Sequence, residues 1–208
     1  MIYPLVCLGC GLVLAPRPLP DYFALFGLPV SHRLDTPRLE TAYKKLSMAL
    51  HPDFHSGSEA FLRQKVLQYS SLVNTAYGVL KDEFRRAGYL LGLLAGQTAL
   101  DAARLPPDFL EEMFLLQETL EVAGEAEPIP SSGGPRPALD AIQLSARTRL
   151  DALKTQREDL FALAEAAMQQ TAGVHTLPDR AILQAIRTNL NQQTYLQRLV
   201  DNLTQTAG

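Results

Sequence analysis

Apolar residues recur at helical spacing along much of this chain of 208 residues. The clearest run predicts a helix from about Glu59 to Leu80, because one apolar side chain follows every three or four positions. Its stripe consists of Leu62, Val66, Tyr69, Val73, Ala76 and Leu80. A second helix is predicted to run to about Leu50. Thr36 is the expected N-cap, and Pro37 is a proline of the first turn. The stripe of this helix consists of Leu39, Tyr43, Leu46 and Leu50.

The rest of the sequence is divided by residues that start or end helices. A short helix is predicted to begin at Asp21. Further helices are predicted over 82–94, 109–122, 138–171 and 179–203. Residues 124–138 are rich in Pro, Gly and Ser and predict a flexible loop. No alternating pattern of useful length indicates a strand, so the predicted class is all-α. We expect an antiparallel helical hairpin with short helices, followed by a C-terminal three-helix bundle.

The composition excludes several classes of protein. A formal net charge of -3 argues against a nucleic-acid binder, which needs a dense Lys/Arg surface. The apolar stretch at residues 5–15 is too short to span a membrane, and no Lys or Arg precedes it. Two cysteines do not make a disulfide framework and suit a reducing compartment. The expected location is the cytosol, with the mitochondrial matrix as the alternative.

The tripeptide His51-Pro52-Asp53 stands between the two predicted hairpin helices. Pro52 excludes helical geometry for His51 and lacks a backbone donor, so the second helix ends there and the tripeptide is exposed on a bend. One interpretation is a Pro-Asp turn with an accidental histidine. In context, however, the order of a short helix, a basic-faced helix, this turn, a Gly/Ser loop and a long antiparallel helix resembles the J domain.

This resemblance implies a module that docks on a DnaK-type ATPase chaperone and stimulates its ATP hydrolysis. Asp53 would present a carboxylate to an arginine of that partner, and His51 and Pro52 would shape the bend and add contact. The second helix adds cations that would meet an acidic partner surface. These are Arg38, Lys44 and Lys45. Taken one by one, the same cations also fit an ordinary solvated helix face.

No arrangement of catalytic residues competes with this interpretation. His51 and His55 are four positions apart, but Pro52 breaks the helix that would align them. Serine nucleophile and phosphate-loop patterns are absent. The chain is therefore not expected to be an enzyme.

Longer motifs narrow the resemblance. They are Asp21-Tyr-Phe-Ala-Leu-Phe-Gly-Leu-Pro, Leu34-Asp-Thr, His51-Pro-Asp-Phe, Asn74-Thr-Ala-Tyr and Arg86-Ala-Gly-Tyr-Leu-Leu. Together they look like the HscB (Jac-type) family of J-proteins in iron-sulfur cluster biogenesis, over most of residues 21–122. The resemblance implies three parts of the chain: an N-terminal extension over 1–20, a J domain over 21–96 and a scaffold-binding helical bundle over 105–204.

The resemblance also implies a client. Members of this family use the C-terminal bundle to hold the scaffold protein IscU and deliver it to the specialised chaperone HscA. Matched to this chain, the scaffold-binding residues would be Leu110, Glu111, Phe114, Leu115 and Glu118. Helical spacing turns Glu111, Leu115 and Glu118 roughly a quarter turn away from a packing face with Leu110, Met113 and Leu120. Burial of Leu110 and Phe114 in the bundle core is the alternative.

The two cysteines form the pair Cys7-x-x-Cys10 in the extension. This pair looks like half of the tetracysteine zinc module that some members of the family carry. Two thiolates leave a tetrahedral zinc ion under-coordinated, so a metal would need ligands from a second chain or from upstream residues. No cofactor is otherwise expected, and a pair of free thiols is the alternative.

Three rival hypotheses remain at this point. The chain could be a J-protein with another client, a zinc- or redox-active protein built on Cys7 and Cys10, or a helical interaction module with a coincidental turn.

Overall fold

The structure is a computed structural model that describes residues 2–96, 98, 100–101, 104–125, 137–169 and 178–206. The chain divides into two compact units, Met1–Leu93 and Leu94–Gly208. The fold is helical, which confirms the predicted all-α class.

The first unit contains two short strands, three complete helices and most of a fourth. They are β1 (Ile2–Tyr3), β2 (Val6–Cys7), α1 (Tyr22–Leu25), α2 (Thr36–Ala49), α3 (Ala60–Lys81) and α4 (Glu83–Ala95), with α4 ending in the second unit. A 3₁₀ turn over Pro52–His55 joins α2 to α3.

The helix starts follow from local hydrogen bonds. Asp21 caps α1, since its carboxylate accepts from the backbone N–H of Ala24 at 2.9 Å. The cap of α2 is Asp35, whose carboxylate accepts from the backbone N–H of Arg38 at 3.0 Å. The prediction of Thr36 as the cap was therefore wrong by one residue. Asp35 supplies a charged acceptor at the end of the helix where backbone N–H groups lack partners.

Helices α2 and α3 pack against each other as an antiparallel hairpin. The predicted stripe of α3 is buried from Val66 onward, at Val66, Tyr69, Val73, Ala76 and Leu80. Tyr43 of α2 is only partly buried and stacks on Tyr77 of α3, with 3.9 Å between ring centroids. Its hydroxyl donates to Asn74 at 3.0 Å. Contacts of this kind fix how the two helices are aligned.

Arg86 ties α4 to the rest of the first unit. Its side chain is buried, with Nε donating to the carbonyl of His32 at 3.0 Å and Nη1 donating to the carbonyl of Leu80 at 2.6 Å. These bonds satisfy two carbonyls that lie outside regular helical pairing. The Arg86-Ala-Gly-Tyr-Leu-Leu motif thus has a structural role, which is to hold α4 in place. Tyr89 of the motif also stacks on Tyr22.

The N-terminal residues form a small β-structure that the sequence analysis did not predict. β1 and β2 pair antiparallel, with Ile2 opposite Cys7 and Tyr3 opposite Val6, and Val13 bridges to Val6. Tyr3, Leu5 and Val6 are buried. Two-residue strands are too short to leave an alternating signature in the sequence.

The second unit is built mainly from α5 (Pro107–Glu125), α6 (Pro137–Gln169) and α7 (Arg180–Thr206). One apolar cluster joins all three helices. The buried members are Phe109, Met113, Ala146, Leu153 and Leu196, with Leu105, Leu116, Leu150, Leu199 and Val200 packed against them. Helix α5 begins two residues before the predicted start, at Pro107, which suits proline at a first helical position.

Most of the predicted loop at 124–138 lies outside the described residues. Where it is described, Gly124 and Glu125 belong to α5, and Pro137 and Ala138 belong to α6, so the helices extend further than predicted. In the parts of the chain that are described, no helix combines the length and the apolar character that a bilayer span requires.

Candidate functional site

The His51-Pro52-Asp53 turn lies directly after α2 in the first unit. His51 is extended, with φ -72° and ψ 130°, as the residue before a proline should be. His55 holds the turn against the helix, because its Nε2 lies 2.9 Å from the carbonyl of Ala49. The Ser56 hydroxyl donates to the carbonyl of Asp53 at 3.0 Å. The turn is therefore fixed by local bonds although it has no buried residue.

The side chains of His51 and Asp53 point into solvent. The backbone N–H of Asp53 donates to His51 Nδ1 at 3.3 Å, and the Asp53 carboxylate lies 3.6 Å from the same nitrogen. The exposed fractions of the two side chains are 53% and 85%. His51 thus acts as a local cap, while the Asp53 carboxylate is displayed on a short, constrained segment.

The predicted cations of α2 are all exposed. Arg38, Lys44 and Lys45 form no ion pair with any other residue in the described part of the chain. By contrast, Lys81 of α3 lies 3.9 Å from Glu40. Arg38, Lys44 and Lys45 are therefore available to an acidic partner.

Apolar side chains around the turn were missed by the sequence analysis. Met48 before the turn is 69% exposed, Phe54 within it 71% and Phe61 at the start of α3 67%. The Phe54 ring meets His51 edge-on, with 6.0 Å between centroids. The sequence does indicate the exposure of two of them. Met48 and Phe61 fall between the residues of the core stripes, so helical geometry turns them outward. Large exposed apolar side chains beside a charged group are typical of protein interfaces.

A second candidate surface lies on α5 in the second unit. All five predicted scaffold-binding residues are exposed there, with Leu110 46%, Phe114 69% and Leu115 60% exposed. Two positions on the opposite side, Phe109 and Met113, are buried in the bundle. The core interpretation of Leu110 and Phe114 was therefore wrong.

The predicted packing face of α5 needs one correction. It grouped Leu110 with Met113, but the structure buries Phe109 with Met113 and leaves Leu110 outside. Phe109, Met113 and Leu116 are spaced four and three apart, which is the period of a core stripe. The remaining face carries apolar and acidic side chains together. We call Leu110, Glu111, Phe114, Leu115 and Glu118 the α5 face.

The cysteine pair lies at the end of β2, with Cys7 as the last residue of the strand and Cys10 in the tight turn that follows. The backbone N–H of Cys7 donates to the carbonyl of Leu12 at 3.0 Å, and Gly11 donates to the carbonyl of Cys7 at 2.8 Å. Gly11 has φ 72°, which a residue with a side chain rarely adopts. Both thiols are free, and Cys10 is exposed.

This turn does not supply a complete metal site. No group of three or more His, Cys, Asp and Glu side chains that could hold a metal exists among the described residues. Cys7 and Cys10 give half of the four ligands that a structural zinc ion takes. A zinc ion bound to Cys7 and Cys10 would therefore need two further ligands.

The environment of Cys7 leads to a prediction about its reactivity. Hydrogen bonds from the backbone of Cys10 and then of Gly9, with one from the Cys10 side chain, lower the pKa of the Cys7 thiol. The thiolate is the nucleophile, so its fraction rises at a lower pH than for an ordinary cysteine. In a Cys10→Ser variant, iodoacetamide should label Cys7 half-maximally at a lower pH in the folded protein than in urea. Equal midpoints in the two states would contradict the hydrogen-bonded turn.

Comparisons with known proteins give a consistent result. No protein-family model matches the chain. The chain is 33% identical over 122 residues to a co-chaperone protein HscB homolog of Vibrio cholerae, covering 59% of this chain and 68% of that protein. It is 30% identical over 154 residues to the homolog of Cupriavidus taiwanensis, covering 74% of this chain and 82% of that protein.

Solved structures show the same fold. The chaperone HscB from Vibrio cholerae superimposes with a TM-score of 0.65 at 24% identity, covering 90% of this chain and 98% of that one. The human co-chaperone protein HscB gives a TM-score of 0.65 at 24% identity, covering 95% of this chain and 90% of that one.

Proposed function

Because this chain belongs to the HscB family of co-chaperones, we propose that it stimulates the ATPase of a DnaK-type, HscA-like chaperone and delivers an IscU-like iron-sulfur scaffold protein to it. The division of the chain into two compact units agrees with two separate tasks. In this proposal the J domain over 21–96 contacts the ATPase, and the bundle over 105–204 holds the scaffold.

The observation that carries the proposal is the exposed, constrained His51-Pro52-Asp53 turn. A carboxylate that is 85% exposed on a turn with three local hydrogen bonds needs little reordering to meet an arginine of a partner. Arg38, Lys44 and Lys45 add positive charge to the same unit and would steer an acidic surface toward it. Such steering weakens as salt is added.

The α5 face supports the second task. It combines three exposed apolar side chains with the carboxylates of Glu111 and Glu118. An apolar centre with a charged rim is the usual composition of a specific protein interface. A scaffold protein with an apolar patch and neighbouring cations would therefore fit the α5 face.

The proposed role is not enzymatic and needs no cofactor of its own. The chemistry belongs to the ATPase partner, and the chain contributes binding surfaces. We place it in a reducing compartment, the cytosol with the mitochondrial matrix as the alternative, in keeping with its two free thiols.

The direct test measures single-turnover ATP hydrolysis by a purified HscA-like chaperone. Adding this chain should raise the rate, and adding an IscU-like scaffold protein together with the chain should raise it further. No stimulation by the chain would refute the ATPase role. Stimulation without any binding of the scaffold would instead identify a J-protein with a different client.

A further inference from the structure

Phe54 follows the His51-Pro52-Asp53 turn directly and has no part in the packing of the fold. Its side chain is the most exposed of the large apolar ones in the described part of the chain, at 71%. The 3₁₀ turn over Pro52–His55 that contains it has no buried residue. Single apolar side chains are common on protein surfaces, so the neighbours of Phe54 decide whether its exposure has a function.

The His51 imidazole connects the Phe54 ring to the Asp53 carboxylate. The ring centroids of His51 and Phe54 are 6.0 Å apart, and Asp53 Oδ2 lies 3.6 Å from His51 Nδ1. The carboxylate, the imidazole and the phenyl ring therefore form one continuous exposed surface. The backbone N–H of Phe54 also donates to the carbonyl of His51 at 3.1 Å, which fixes the chain at this point. An aromatic side chain on fixed backbone has only two torsions to order when a partner covers it.

A partner that pairs with the Asp53 carboxylate must also cover Phe54. Specific protein interfaces bury about 800 Å² on each side, which corresponds to a disc of about 16 Å radius. Phe54 is the next residue after Asp53, so it lies well inside such a disc centred on the carboxylate. The protein that covers Phe54 is therefore the same one that engages Asp53.

The chemistry of the ring indicates what this partner places against it. A polar group over the Phe54 ring would lose water without gaining a hydrogen bond, whereas an apolar group gains by the burial. Phe61 is a poorer candidate for the same contact, because Lys65 Nζ lies 4.7 Å from the centre of its ring.

We propose that Phe54 packs into an apolar pocket of the DnaK-type ATPase chaperone, beside the cation that pairs with Asp53. This inference rests on the proposed co-chaperone function and specifies the partner's site as a cation with an apolar wall. Phe54 supplies the part of the docking affinity that does not depend on charge.

The test compares Phe54→Gln with Phe54→Leu in the full chain. Glutamine and leucine side chains are similar in size, but only leucine is apolar. Phe54→Gln should raise the concentration of the chain that half-maximally stimulates single-turnover ATP hydrolysis about tenfold, and Phe54→Leu no more than about threefold. Equal losses in the two variants would indicate a partner cation stacked on an aromatic ring, and an unchanged concentration in Phe54→Gln would mean that the ring stays in solvent. Either result would overturn the proposal.

Added salt separates the contact of Phe54 from that of Asp53. Salt screens the pairing of a carboxylate with a cation but does not screen the burial of apolar surface. Between about 50 mM and about 300 mM salt, the fold-loss caused by Phe54→Gln should stay constant within about twofold, while that caused by Asp53→Asn should shrink. A Phe54→Gln effect that shrinks in step with the Asp53→Asn effect would contradict an apolar contact.

Val30→Gln is the matched control. Val30 is 44% exposed and lies close to His32, whose carbonyl accepts from the Arg86 side chain that also donates to the carbonyl of Leu80. Leu80 is at the far end of α3 from the turn, and the 22 residues of this helix extend over about 33 Å. Val30→Gln should therefore stimulate the ATPase within about twofold of the unmodified chain. An equal loss in Val30→Gln and Phe54→Gln would overturn a contact located at the turn.

The same measurements distinguish failure of this contact from failure of the proposed function. If the unmodified chain stimulates the ATPase and Asp53→Asn does not, the co-chaperone function stands whether or not Phe54→Gln has an effect. Absence of stimulation by the unmodified chain would remove the function and the Phe54 contact together.

Discussion

Replacing Asp53 with asparagine should abolish most of the stimulation of the DnaK-type ATPase while leaving the protein folded. The substitution keeps the size and shape of the side chain and removes only its charge. Loss of one partner in a charge-assisted contact costs about 2 kcal/mol or more, which corresponds to about thirtyfold in affinity. The Asp53 side chain is 85% exposed, so the free energy of unfolding should change by no more than about 0.5 kcal/mol.

Glu59→Gln provides the matched control for Asp53→Asn. Glu59 is an exposed acid six positions after Asp53, immediately before α3, and it makes no capping bond with its side chain. Its loss should leave ATPase stimulation within about twofold of the unmodified chain. The measurement is the single-turnover hydrolysis rate at several concentrations of each variant. If both variants lose stimulation equally, a general effect of negative charge would replace a specific contact at Asp53.

The second large effect is expected on the α5 face. Phe114→Ser should weaken binding of an IscU-like scaffold protein by about 2 kcal/mol, because aromatic anchors carry much of the energy of protein interfaces. Phe114 is 69% exposed, and serine and phenylalanine have similar helix propensities. The thermal midpoint of the variant should therefore stay close to that of the parent chain.

Two further variants make the scaffold result interpretable. Leu144→Ser removes an apolar side chain of similar exposure, 67%, from α6 and should leave scaffold binding unchanged. Met113→Ala removes a buried side chain of α5 and should lower the free energy of unfolding by about 2 to 5 kcal/mol. Isothermal titration of the scaffold into each variant is the measurement. Full binding by Phe114→Ser would remove the α5 face from the proposed function.

Helical periodicity was enough to predict the class and the long helices. The α3 stripe from Val66 to Leu80 is buried as the spacing indicated. The core-facing residues of a single helix recur every three or four positions, so the sequence alone shows them. Helix boundaries were less accurate. Asp35 and Thr36 are both acceptable cap residues, and only the backbone geometry decides which of them accepts the hydrogen bond from Arg38.

Other features depend on contacts between distant residues and could not be predicted. The buried position of Arg86 depends on carbonyls of His32 and Leu80, which no local pattern connects to it. Leu110 was grouped with Met113 on the packing side as well as with the scaffold-binding residues, because neighbouring positions on a helix differ by about a quarter turn and periodicity alone does not fix the angle.

The tyrosine pairs have a consequence for optical studies of this protein. The chain contains seven tyrosines and no tryptophan, and only Tyr195 lies in the second unit. Tyr22 with Tyr89 and Tyr43 with Tyr77 form stacked pairs in the first unit, where stacking makes their near-ultraviolet signals sensitive to packing. Near-ultraviolet circular dichroism and intrinsic fluorescence therefore follow mainly the half that carries the His51-Pro52-Asp53 turn, whereas far-ultraviolet ellipticity also follows the long helices of the other half.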